Sequence, residues 1–151
     1  MPPATSRVES LLLWLLPLGF AVASSGWVLY LATTQPDRLL GFVPDDAFYY
    51  FGVAEHLRDG WWFSFDGLTL TNGFHPLWAL VITPVLWMAG HDFVPVLVLG
   101  SVLTALAIAL LARTVAHLWD TTTAVAFSVL MVLNPALFTH ADPKRVLIIG
   151  G

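Results

Sequence analysis

"LLLWLLPLGFAVASSGWVLYL", Leu11–Leu31, contains no Lys, Arg, Asp or Glu. About 20 consecutive apolar residues cross the hydrocarbon core of a bilayer as a helix, so this run predicts a membrane-spanning helix. A signal peptide is the rival reading. Arg7 supplies a positive start, and "AVA" at Ala21–Ala23 has the small-residue spacing of a cleavage site. Cleavage there would leave Trp27, Val28, Leu29 and Tyr30 at a new N-terminus, so an uncleaved anchor is expected.

The composition agrees with a membrane protein. The chain has 151 residues, 58% hydrophobic and 11% charged, against about 25% charged in an ordinary soluble domain. A net charge of −4 gives no basic footprint for nucleic acid. With no cysteine, disulfides, thiolate metal sites and cysteine nucleophiles are excluded. Seven Trp and ten Phe suit aromatic belts at the membrane interface.

Three further spans are expected, at about 76–89, 93–112 and 122–138. The fold class is therefore an all-α membrane protein with about four transmembrane helices. Pro17 and Pro84 fall inside spans, which is tolerated where neighbours satisfy the freed carbonyls. Positive charge does not orient the chain. Arg7, Lys144 and Arg145 would lie on one side and Arg38, Arg58 and Arg113 on the other.

Residues 32–75 make a long connection, and loops beyond about 12–15 residues are usually functional or disordered. Its aromatic content argues against disorder. Within it, Asp45–Asp59 reads as a helix. Pro44 precedes it, Asp45 or Asp46 can cap it, and Gly60 ends it. Ala47, Tyr50, Ala54, Leu57 and Trp61 form an apolar stripe, with Asp45, Tyr49, Gly52, His56 and Asp59 opposite. Such a helix would lie on the membrane surface, stripe down, with its acids at the lipid–water boundary. The plainer alternative is one Asp as a helix cap and the other as a solvated neighbour. Downstream, "FDGLTLTNGFHPLW" (Phe65–Trp78) carries turn signals at Asp66-Gly67 and Asn72-Gly73. Pro76 suits the first residue of the next helix, which puts His75 at the same boundary; alone, this is a hairpin-like loop with an interfacial His.

Together, "PDDAFYYFGVAEHLRDG" and "FDGLTLTNGFHPLW" resemble the first extracytoplasmic loop of polytopic GT-C glycosyltransferases of bacteria and archaea. The similarity covers residues 40–78; the flanking spans agree only in hydropathy. It implies a membrane enzyme that moves a sugar from a polyprenyl-phosphate donor to an acceptor on the non-cytoplasmic face. In that family an acid of this loop acts as base or orients the acceptor, and Asp45 and Asp46 match its position, with Asp46 preferred. Paired acids also raise each other's proton affinity or attract a divalent cation, a point on which the family differs. The same resemblance makes Tyr49, Tyr50, Asn72 and His75 candidates for binding donor or acceptor. It also implies a cytoplasmic N-terminus, residues 32–75 outside, and a prokaryotic plasma membrane.

The end of the chain, "NPALFTHADPKRVLIIGG" (Asn134–Gly151), is different. A basic pair, a strand-like run and a glycine turn resemble the entry to the Rossmann-like domain of spermidine synthases. Residues 139–151 are expected to be a truncated start of such a unit, because the helix that would complete the nucleotide site does not follow Gly151. Residues 1–138 form the GT-C-like region, which is expected to be a fragment. A membrane-anchored aminopropyltransferase-like protein and an inactive membrane remnant stay open as alternatives.

His56, Asp66, His75 and His91 lack metal-ligand spacing on a shared helix. Gly100 and Thr104 make a small-xxx-small pair suited to helix packing. Arg113, His117 and Asp120 are expected to anchor the end of the third span.

Overall fold

The computed structural model describes residues 7–60, 62–73, 75–90 and 92–134, with the backbone alone at Arg7, Glu9 and Asp45. Six helices follow in order: α1 (Arg7–Thr34), α2 (Pro36–Phe42), α3 (Asp45–Arg58), α4 (Pro76–Ala89), α5 (Val94–Leu118) and α6 (Thr121–Val132). Among the described residues there is no strand beyond an isolated antiparallel bridge, Ser64 to Leu70. The all-helical expectation holds. The strand expected at Val146–Ile149 lies outside the described residues.

The expectation of four spans is corrected. Two helices are long and apolar enough to cross a membrane, Ser10–Thr34 and Val94–Leu118, each of 25 residues. At 1.5 Å per residue that is about 37 Å, against a core of about 30 Å. Only 22% of each apolar window is buried, whereas a core helix of a soluble protein is mostly buried. By the same rise α4, with 14 residues, reaches about 21 Å and α6, with 12, about 18 Å. Gly90, at φ 69°, stops α4 in the left-handed conformation that favours glycine.

The chain divides into two units. One comprises, of the described residues, 7–30 and 98–134. Its buried clusters are Leu13 with Ala112 and Ala124, and Phe20 with Ala105 and Ile108. Small residues on α5 and α6 meet larger ones on α1. Gly100 has open space around it, so the expected close packing there is not used. The expected anchor of the third span also divides: Arg113 lies over the Trp14 ring at 4.8 Å, while Asp120 caps α6 by accepting the Thr123 N–H at 2.8 Å.

The other unit, residues 31–97, holds the candidate site. Its core joins Val43, Phe51 and Ala54 to Ile82 and Leu86 of α4 and Val96 of α5. Ile82 and Leu86 recur at i, i+4 on α4. Ala47, Tyr50 and Trp78 pack around this core. Much of the apolar stripe expected to rest on lipid is therefore spent against α4. Phe51 and Val53, outside that stripe, are buried as well, and Phe51 stacks on Phe93. Trp61 lies outside the described residues.

Candidate functional site

Pro44 is the N-cap of α3, extended at ψ 146°, and makes no side-chain cap bond. The expected capping by Asp45 or Asp46 is corrected for the described side chains. Both acids stand in the first turn, where the partial positive charge of the helix start favours a carboxylate without a capping bond. Asp46 is exposed; of Asp45 only the backbone is described. From Asp46, helical spacing puts Tyr49 and Tyr50 one turn on along the same side.

Residues 62–73 and His75 close over α3. The Phe65 ring stacks on Tyr49 with centroids 4.8 Å apart, and a Cβ at Gly52 would stand 3.0 Å from that ring. A side chain at position 52 would require the Phe65 ring to shift by a few tenths of an ångström. The Tyr49 hydroxyl bonds the Thr71 hydroxyl. Tyr50 accepts the His75 backbone N–H at 3.3 Å, and the two rings lie nearly parallel, 9° apart at 6.2 Å. Tyr49, Tyr50 and His75 are thus brought together, as N-cap residue His75 starts α4 with Pro76 at its first position. Asn72 is exposed between Thr71 and Gly73.

Asp66 organises the loop. Its carboxylate accepts the backbone N–H groups of Thr69 and Leu68, both at 2.9 Å, and the hydroxyls of Ser64 and Thr69. Those donors, the Thr69 N–H foremost, hold its carboxyl well below the usual carboxylate range. Gly67 turns the chain at φ 72°, close against His56, whose Nδ1 donates to the Gly52 carbonyl at 2.9 Å. The Asp66-Gly67 turn is as expected; Gly73 does not adopt a positive φ. Sequence reasoning missed Gly52, Phe65 and Thr71. Only "DGLT" carried a local signal, an Asp two and three residues ahead of the N–H groups it binds.

A pH dependence follows. The carboxyl is depressed in the fold, so its stabilisation is present above the unfolded value of about 4 and is lost as pH falls through the folded value. Acidification below about pH 4 is expected to loosen residues 64–70, seen as increased mobility of a spin label on Leu70→Cys. Asp66→Asn should be mobile already at pH 7 and insensitive to acid.

The two arginines nearest to Asp46 in the sequence take other partners. Arg58 pairs with Asp59 at 2.8 Å and donates to the Gly90 carbonyl at 3.2 Å, while Arg38 donates to Gln35. Among the described residues no three His, Asp or Glu side chains gather to hold a cation.

Fold and site define an all-helical chain with two helices of membrane-crossing length and a loop-covered helix that starts with two acids. No protein-family model, curated protein or solved structure matches this chain.

Proposed function

We propose that the chain is a membrane glycosyltransferase component of the GT-C type, with α3 and residues 62–75 on the non-cytoplasmic face of a prokaryotic plasma membrane and the N-terminus in the cytoplasm. The observation that carries this reading is the closure of residues 62–73 and His75 on α3. It brings Thr71 to Tyr49 and His75 to Tyr50, one turn along the helix that carries Asp46 in its first turn. The two long apolar helices support a membrane setting.

In the proposed reaction the acceptor hydroxyl attacks the anomeric carbon of the sugar. The bond from that carbon to the phosphate oxygen breaks, and polyprenyl phosphate leaves with the electron pair. Asp46, or Asp45, takes the hydroxyl proton as the new bond forms. An exposed carboxylate without an arginine partner suits that task, because a firm ion pair would lower its basicity. Tyr49, Tyr50 and His75 offer flat rings and polar edges for a sugar, and Asn72 an amide beside them.

Binding tests the proposal directly. The chain in phosphatidylcholine vesicles is expected to bind a polyprenyl-phosphate sugar, and His75→Ala with Tyr50→Ala to weaken that binding by roughly tenfold, about the loss of two modest contacts. Equal binding to vesicles lacking the protein would end the reading.

A further inference from the structure

The loop between α3 and α4 binds several of its own backbone N–H groups while leaving large apolar side chains exposed. Trp62, Leu68 and Leu70 are 78%, 88% and 77% exposed. Meanwhile Asp66 accepts the Leu68 and Thr69 N–H groups, and the Thr71 N–H donates to the Phe63 carbonyl at 2.9 Å. A surface turn in water is ordinarily dressed with polar side chains. This one satisfies those backbone donors internally, which is the requirement for leaving water for a lipid boundary.

Charge narrows the occupant. From Asp59 to Ala112 the sequence has no Lys or Arg, and the carboxylate of this loop is already engaged. Neither an anionic lipid nor an acidic protein would find a counter-charge. A neutral lipid surface fits, with Trp62 of the residue type that favours the headgroup level. The loop also runs directly into α4, whose exposed face carries Leu77, Leu80, Val81, Trp87 and Met88.

We infer that Trp62, Leu68 and Leu70 form a membrane anchor that dips into the headgroup–acyl boundary of a neutral bilayer. The anchor takes the lipid-contacting role that sequence spacing gave to the stripe of α3. It rests on the membrane setting proposed above and not on sugar transfer.

The chain has no native cysteine, so nitroxide labels can be placed singly in the full chain reconstituted in phosphatidylcholine vesicles. Leu68→Cys reports the loop, Asp59→Cys the end of α3, and Leu106→Cys the exposed side of α5. The label at 68 should favour collision with oxygen over a charged nickel chelate about tenfold more than the label at 59, since charge is excluded below the headgroups. Substituting Leu70 with Ser should reduce that preference. A water-like label at 68 with a lipid-like label at 106 overturns the anchor and leaves the membrane setting standing. A label at 68 shielded from both reagents means that a protein surface or second copy covers the loop, and overturns it also. Water-like behaviour at both positions overturns anchor and setting together.

Discussion

Asp46→Asn is expected to lower sugar transfer by about 10²–10⁴-fold, the range that a positioned general base contributes. The substitution keeps the size of the side chain and removes its basicity. Asp46 is exposed and is not the N-cap of α3, a position held by Pro44. The helix therefore loses only the favourable placement of a charge near its start, about 0.3–1 kcal/mol. Transfer is measured with radiolabelled polyprenyl-phosphate sugar in vesicles, beside circular dichroism of the same sample. Asp45→Asn run in parallel assigns the role within the pair. Unchanged turnover in the double variant, with helix content retained, would remove both acids from the chemistry.

Ile82→Ala is expected to cost about 2–5 kcal/mol, the range for truncating a large aliphatic side chain in a packed core. Ile82 is fully buried among Val43, Phe51, Ala54 and Leu86. The cavity would open where α3 sits on α4, so the effect reaches the Tyr50–His75 contact as well. A cysteine introduced at Ala54, also buried, reads it: its labelling rate should rise by roughly 30-fold or more, the equivalent of 2 kcal/mol. Leu80→Ala on the exposed side of the same helix should change the rate little, within about 0.5 kcal/mol. Equal effects at 80 and 82 would contradict the packing of α3 on α4.

Several local features were legible because their cause was local. Asp45–Arg58 is helical because a proline precedes it and apolar residues recur through it, and Gly60 follows at φ 86°. Pro76 opens α4 because its missing N–H costs nothing there. Two helices stop short of the bilayer because hydropathy alone does not mark where a helix ends. Gly90 supplies that stop for α4. The short α2 went unread, although Pro36 at its start and Asp37 in its first turn are ordinary helix-start signals.

The sequence by itself determined a helical, strongly apolar chain with two acids at the start of α3, but it marked four spans where two described helices have membrane-crossing length. Periodicity and charge content settle those properties within one segment. Only the tertiary structure decided which surface each face of α3 meets. The stripe assigned to lipid packs on α4, and the opposite side receives residues 62–73 and His75. The physical reason is that the Phe65 ring lies against both Tyr49 and the bare Cα of Gly52. That contact spans distant positions, and no local period encodes it.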